Sequence, residues 1–379
     1  MVDMKRSLTI PIKKDLNNKI VFLTGPRQTG KTTLSKMLFK SYEYYNHDLA
    51  EHRVALAEKS WDRKKDLIIF DELHKKKSWK TWIKGIYDTE GARPRLLVTG
   101  SAKLDISKKM GDSLAGRFFQ FRLHPFDLKE LKGTQKSEEI FNRLINVSGF
   151  PEPFLKGKET FYRRWKKSHL DIILRQDLLD LENVRNIQSI ETLIEILRYR
   201  VGSPVSYNSL SNDLEKSPKT IKRWLTILEN LYIVFKVTPY HKNIARSLLK
   251  EPKYFFYDTG HVLGDKGAKL ENLVAASLLK ELDFLEDTLG HDASLHYLRN
   301  KDGREIDFLI LINNKPSHLI EVKWADDQPS PHFKHFSKFF KRVKMVQLVK
   351  EFKKEKTYPD GLEIRKVVPW LETLNLANE

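Results

Sequence analysis

Five short apolar runs, separated by stretches with helical spacing, organise the first part of the chain. They cover residues 19–24, about 42–47, 66–70, 95–99 and 118–123. Lys19-Ile20-Val21-Phe22-Leu23-Thr24 and Asp66-Leu67-Ile68-Ile69-Phe70 do not alternate with polar residues, the pattern of strands buried on both faces of a parallel sheet. Thr33-Leu34-Ser35-Lys36-Met37-Leu38-Phe39 has the spacing of a helix. Strands alternating with helices predict a doubly wound parallel sheet over residues 1–148, with ligands beyond the carboxyl ends of its strands.

The pattern changes at Gly149-Phe150-Pro151-Glu152-Pro153, which interrupts regular structure. Helical periodicity dense in Arg and Lys follows from Phe161 to Leu181, so residues 149–188 read as a helical segment. Residues 189–248 predict three helices and a short strand pair, a helix-turn-helix or winged-helix module. There Ser217-Pro218 supplies an N-cap and a proline at the first helical position. Ile221, Trp224, Leu225 and Leu228 form one apolar stripe, while Lys219, Lys222, Arg223 and Thr226 point elsewhere. A basic outer face on such a second helix suits a DNA groove. Residues 249–379 read as a separate α/β domain. The stretch 332–342 interleaves aromatic and basic residues on a helix whose phenylalanines are expected to be buried.

Charge then narrows the partners. The 379 residues carry a net charge of +18, which favours a polyanion, with DNA preferred over RNA. The chain has no cysteine, which excludes disulfides and thiolate metal sites. Neither a secretory leader nor a membrane-spanning run is legible, so the expected setting is cytoplasmic, away from membranes.

Gly25-Pro26-Arg27-Gln28-Thr29-Gly30-Lys31-Thr32 fills the phosphate-loop pattern G-x-x-x-x-G-K-[ST], between a strand and a helix that opens with Thr33. Backbone amides of such a loop face a phosphate chain. Lys31 is expected to reach the β- and γ-phosphates of ATP, and Thr32 to ligate Mg²⁺. The apolar run 66–70 ends in Asp71-Glu72. Asp71 is expected to hold Mg²⁺ through water, and Glu72 to orient and deprotonate the attacking water.

On these and further motifs the sequence resembles the AAA+ ATPases of bacteria and archaea that carry a C-terminal domain of unknown function. The resemblance rests on the phosphate loop, Phe70-Asp71-Glu72-Leu73-His74-Lys75, Leu97-Val98-Thr99-Gly100-Ser101 and Ser113-Leu114-Ala115-Gly116-Arg117. Gly149-Phe150-Pro151-Glu152-Pro153 and Tyr254-Phe255-Phe256-Tyr257-Asp258-Thr259-Gly260 extend it over nearly the whole chain. It implies a polar sensor at Ser101, with Thr99 the alternative. It also implies an arginine finger at Arg117 that acts on a neighbouring subunit, hence a homo-oligomer. Residues 149–188 become the lid, with an arginine sensor at Arg163, Arg164 or Arg175.

In the last domain, Arg304-Glu305-Ile306-Asp307-Phe308-Leu309-Ile310 alternates with period two, so Glu305, Asp307 and Leu309 share a face. After the turn Asn313-Asn314-Lys315-Pro316, Glu321 and Lys323 share a face, with Ile320 and Val322 toward the core. Paired strands would bring Asp307, Glu321 and Lys323 together, two carboxylates for a second Mg²⁺ or Mn²⁺ and a lysine beside water. This resembles the PD-(D/E)XK fold of restriction endonucleases and junction resolvases, and Glu271, read as opening a helix, matches their additional acidic residue. Asp258-Thr259-Gly260 superficially matches an aspartic-protease motif, but there is no second lobe to supply the paired aspartate. The combined expectation is ATP hydrolysis with Mg²⁺ coupled to DNA binding or remodelling, with metal-dependent cleavage as an added activity. Two other classes stay open: a nucleotide-switched DNA-binding or regulatory protein that never cuts, and an ATP-driven remodeller of protein partners.

Overall fold

The computed structural model describes residues 5–100, 114–178, 186–241, 251–340 and 342–377. The chain divides into two compact units, Met1–His124 and Pro125–Glu379.

In the first unit, helix α1 (Thr9–Asp15) precedes strand β1 (Ile20–Thr24). There follow α2 (Lys31–Met37), β2 (Tyr42–Asn46), α3 (Ala50–Glu58), β3 (Leu67–Asp71), α4 (Trp79–Glu90), β4 (Arg95–Thr99) and β5 (Phe118–Arg122). The strands form one five-stranded sheet in the order β2-β3-β4-β1-β5. Every neighbouring pair is parallel. The runs read from hydrophobicity are therefore strands, displaced at their ends by about one residue. β1, β3 and β4 are buried along their whole length, as strands covered on both faces must be. Phe22, Trp61, Phe70, Trp79, Ile83 and Val98 belong to the core on one side of the sheet. The strand order breaks at β1, which sits between β4 and β5, and ligands of open α/β sheets bind beyond the carboxyl ends at such breaks.

The second unit begins with α5 (Leu128–Leu131), α6 (Ser137–Asn146), α7 (Pro151–Lys156) and α8 (Glu159–Ile172). Then come α9 (Ile187–Tyr199), α10 (Tyr207–Leu214) and α11 (Pro218–Asn230), followed by strands β6 (Val234–Pro239) and β7 (Lys253–Phe256). Ser217 caps α11 by accepting from the Thr220 amide, and Ile221, Trp224, Leu225 and Leu228 are buried. Lys219, Lys222, Arg223 and Thr226 are exposed, so the two faces of this helix fall as the stripe predicts.

A long helix α12 (Lys266–Leu289) leads into β8 (Ala293–Arg299), β9 (Glu305–Ile312) and β10 (Lys315–Lys323). The chain continues through α13 (Pro331–Phe336), β11 (Lys344–Val349), β12 (Lys356–Thr357), β13 (Leu362–Lys366) and α14 (Val367–Glu372). Asp265 caps α12, so Glu271 lies inside the helix and does not open it. β9 and β10 form a hairpin whose two turn residues, Asn313 and Asn314, both have positive φ, as a tight primed turn requires. One eight-stranded sheet, in the order β12-β13-β11-β10-β9-β8-β6-β7, contains all of these strands. β6 and β7 pair antiparallel although residue 248 separates them, and the end of β6 runs parallel to β8. Strand β6, which follows α11, and the last strands therefore share a continuous backbone ladder. Phe333 and Phe336 of α13 are buried as expected, whereas Phe339 is exposed. Among the described residues no helix is long and apolar enough to cross a membrane.

Candidate functional site

The glycine loop turns back under the end of β1. Gly25 has φ 140°, and a Cβ there would lie 2.3 Å from the Leu123 carbonyl oxygen, so glycine is required for this approach. Gln28 and Gly30 also have positive φ, which curls the loop before α2 begins. Arg6 holds the loop from outside: its guanidinium donates to the carbonyl oxygens of Thr29 (3.2 Å) and His124. The Thr29 hydroxyl donates to the Pro26 carbonyl at 2.8 Å. Lys31 is buried, and its ammonium donates to the carbonyls of Gly25 (3.0 Å) and Pro26 (2.7 Å), folded into the loop it belongs to.

Asp71, at the end of β3, sits among three hydroxyls. Its Oδ2 accepts from Thr32 Oγ1 at 3.0 Å and from the Tyr44 hydroxyl at 2.6 Å. Its Oδ1 accepts from Thr99 Oγ1 at the end of β4. Burial, and then the Asp71 carboxylate, push the Tyr44 phenol well above its ordinary range, so it remains a donor to this carboxylate. The Lys36 ammonium lies 3.9 Å from the Tyr44 ring centroid. Parallel pairing is what gathers these groups, since Asn46, Asp71 and Thr99 are register partners across β2, β3 and β4. Glu72 follows in a left-handed conformation (φ 54°), with its amide bonded to the Thr99 carbonyl. A non-glycine residue in that region stores strain, a feature concentrated at functional sites. Its Oε2 lies 3.4 Å from His74 Nδ1. Thr99, the alternative sensor, thus contacts Asp71, while Ser101 lies outside the described residues.

Arg117 sits at the other end of the sheet. It immediately precedes β5, and its carbonyl accepts from the Ile20 amide at the start of β1. A strand of this length separates it from the glycine loop by roughly 15 Å at about 3.3 Å per residue. Its guanidinium grips Asp88 of α4 in a two-pronged pair, Nε to Oδ1 at 2.6 Å and Nη2 to Oδ2 at 3.3 Å. Of the three candidate lid arginines, Arg163 and Arg164 are exposed on α8, and Arg175 pairs with Asp171 at 2.5 Å.

The second unit gathers the acidic residues of the C-terminal domain, around an ammonium rather than around an open centre. Lys253, the first residue of β7, has a side chain that is 1% exposed. Its Nζ lies 2.6 Å from Glu305 Oε1, 3.2 Å from Glu271 Oε1 and 3.9 Å from Asp307 Oδ1. Burial alone would lower its pKa, but Glu271, Asp307 and Glu305 outweigh burial and raise it, so the lysine is charged. Burial and then Asp307 push the Glu271 carboxyl up to about 7. Burial and then the Asp307 charge push Glu321 up to about 8, and Glu321 Oε1 pairs with Lys323 at 2.8 Å. Asp307 Oδ2 accepts from the Val322 amide at 2.8 Å.

The expected trio of Asp307, Glu321 and Lys323 is thus brought together, with two departures. Glu321 is buried and Val322 only half-buried, because the sheet is covered on both faces here. And Glu271, Asp307 and Glu321 do not fit a divalent metal, since the lysine's charge already stands among the first two. Among the described residues no group of three or more His, Asp or Glu side chains is arranged to hold a metal ion. Sequence reasoning missed Lys253, whose signal was a lone cation opening the apolar run Lys253-Tyr254-Phe255-Phe256, and it missed Tyr44.

Asp258 of the Asp-Thr-Gly motif has a structural role. Its Oδ1 accepts from the Gly260 amide and its Oδ2 from the Tyr162 hydroxyl at 2.8 Å, with burial pushing its carboxyl up to about 6.

Comparison with known proteins divides the chain into three matched segments. Residues 138–264 and 266–372 match two domains of unknown function, DUF8612 and DUF4143. An uncharacterized protein of Haemophilus influenzae is 26% identical over 361 residues, covering 88% of this chain and 84% of its own. One from Methanocaldococcus jannaschii is 27% identical over 344 residues, covering 82% of this chain and 75% of its own. One from Mycobacterium tuberculosis is 26% identical over 312 residues, covering 78% and 68%. Among solved structures, a Signal Transduction ATPase with Numerous Domains (STAND) protein with a tetratricopeptide repeat sensor from Pyrococcus horikoshii aligns with TM-score 0.24 and 13% identity. That alignment covers 76% of this chain and 48% of that chain. Residues 17–132 match the family model described as AAA domain, so the glycine loop and the Asp71 hydroxyl cluster lie in an AAA-type ATPase domain.

Proposed function

We propose that this protein hydrolyses ATP with Mg²⁺, that hydrolysis is completed between neighbouring copies of the chain, and that it is coupled to DNA. The observation that carries the first part is the Asp71 carboxylate 3.0 Å from the Thr32 hydroxyl at the end of a complete phosphate loop. In this reading Lys31 exchanges the carbonyls of Gly25 and Pro26 for the β- and γ-phosphates. The amides from Gly25 to Thr33 wrap the phosphate chain, while Thr32 and Asp71 hold Mg²⁺, Asp71 through water. Glu72 orients and deprotonates the attacking water. Thr99 or Ser101 senses the γ-phosphate from the end of β4. Arg117, at the opposite end of the strands, is out of reach of the phosphates bound by its own subunit, so it serves a neighbour and the working form is a homo-oligomer.

The DNA part rests on the exposed Lys219, Lys222 and Arg223 of α11 and on the net charge of +18. Residues 149–188 act as lid, 189–248 as a winged-helix module and 249–379 as a nuclease-like platform, and the buried Lys253 speaks against cutting. The test is ATP turnover with and without duplex DNA in wild type and Glu72→Gln. Wild type is expected to turn over faster with DNA, and Glu72→Gln to bind ATP but hydrolyse it about a hundredfold or more slowly. Unchanged turnover in Glu72→Gln would remove Glu72 from the chemistry. Stimulation by proteins but not by DNA would shift the coupling to protein remodelling.

A further inference from the structure

We propose that Lys253 is the permanent counter-ion of the carboxylate cluster, so that the C-terminal domain takes no divalent metal there, and that removing its charge frees the carboxylates to close on one. The inference is independent of the ATPase reading. Three elements meet at the ammonium: β7 supplies Lys253, α12 supplies Glu271, and β9 supplies Glu305 and Asp307. The lysine stem is itself enclosed, with the ammonium 5.3 Å from the Tyr297 ring centroid, and the Tyr297 hydroxyl donates to the Glu251 carbonyl. With its side chain 1% exposed, the lysine stands between the carboxylates and solvent-borne cations.

The cluster also carries more acceptors than one ammonium can satisfy. Glu321 is buried, its Oε1 pairs with Lys323, and its Oε2 has no hydrogen-bond partner. Asp307 accepts one backbone amide on Oδ2 and turns Oδ1 toward the lysine at 3.9 Å, beyond hydrogen-bond reach. A hard divalent cation prefers this kind of oxygen donor set, and an ammonium at its focus repels it. Lys253 also fastens the β6–β7 hairpin to α12 and β9, so the charge that excludes metal ties the helix-turn-helix strands into the terminal sheet.

The test titrates Mn²⁺ into the nucleotide-free full chain, following free Mn²⁺ by electron paramagnetic resonance, for wild type, Asp307→Asn, Lys253→Met and Lys253→Met/Asp307→Asn. Wild type and Asp307→Asn are expected to bind Mn²⁺ identically. Lys253→Met is expected to gain one saturable site in the millimolar range or tighter, and the double variant to lose it. A Mn²⁺ site in wild type that Asp307→Asn removes would overturn the proposal. So would a folded Lys253→Met, with native circular dichroism, that gains no site. If Lys253→Met does not fold, the comparison of wild type with Asp307→Asn decides alone: a difference overturns the proposal and identity supports it.

Discussion

Gly25→Ala tests the loop at its tightest point. The new Cβ would lie 2.3 Å from the Leu123 carbonyl oxygen and 3.1 Å from its carbon, both backbone atoms that no rotamer change can move. Relief means shifting Leu123, whose amide donates to the Thr24 carbonyl at 2.8 Å at the end of the β1–β5 ladder. The residue must also hold φ 140°, which alanine avoids. Backbone strain costs about 1–3 kcal/mol and overpacking a similar amount, so the substitution should destabilise the ATPase domain by about 2–6 kcal/mol. For a unit of this size each kcal/mol is worth about 4 °C, so Tm should fall by about 8–24 °C. Gly91→Ala is the control: φ there is 71°, but nothing lies within 4 Å of the new Cβ, leaving the conformational cost alone. Thermal unfolding by circular dichroism, with binding of a fluorescent ADP analogue, reads both consequences. Gly25→Ala with the Tm of Gly91→Ala and undiminished nucleotide binding would refute the steric account of the loop.

Further outcomes are expected elsewhere. Arg117→Ala should keep nucleotide affinity and lose turnover, and mixing it with Glu72→Gln chains should restore part of the activity; no recovery in demonstrably co-assembled mixtures would exclude an arginine acting on a neighbour. Neutralising Lys219, Lys222 and Arg223 together should weaken DNA binding and lower the slope of log affinity against log salt by about 3; an unaltered slope would mean that α11 does not meet phosphates. Glu321 has its pKa raised from 4.5 to about 8 in the folded state, so the folded chain holds the extra proton and the contribution to stability falls as pH rises through that window. Glu321→Gln, which mimics the protonated form, should match wild type near pH 5 and exceed it above pH 8 by up to about 4 kcal/mol in chemical denaturation, and equal stability at both pH values would rule out a buried charge there.

The ATPase domain was legible because its chemistry is local. Glycines, a lysine and a threonine at fixed spacing build the loop from consecutive residues, and the uninterrupted apolar runs announce the buried strands. What escaped was the consequence of register. Tyr44 reaches Asp71 only because β2 lies beside β3, and no spacing along the chain reports that neighbour. The same limit explains why Thr99 stood as an alternative to Ser101: its bond to Asp71 Oδ1 depends on β4 lying on the other side of β3.

The carboxylate cluster shows a second limit, one of sign. Alternation along β9 and β10 foretold that acidic side chains would share a face, and they do. Whether such a face is a metal site depends on the net charge at its focus, which belongs to whichever residue the fold delivers there. Here that residue arrives from β7, beyond the expected boundary at residue 248, because β7 pairs with β6 and the end of β6 runs beside β8 in the terminal sheet. Lysine is among the least often buried residue types, and a buried one is held by partners. A lone lysine opening the apolar run Tyr254-Phe255-Phe256 therefore implies carboxylates elsewhere that must come to it. The acidic pattern on β9 and the cation on β7 are two halves of one electrostatic requirement, and reading either without the other turns a neutralised cluster into an apparent metal site.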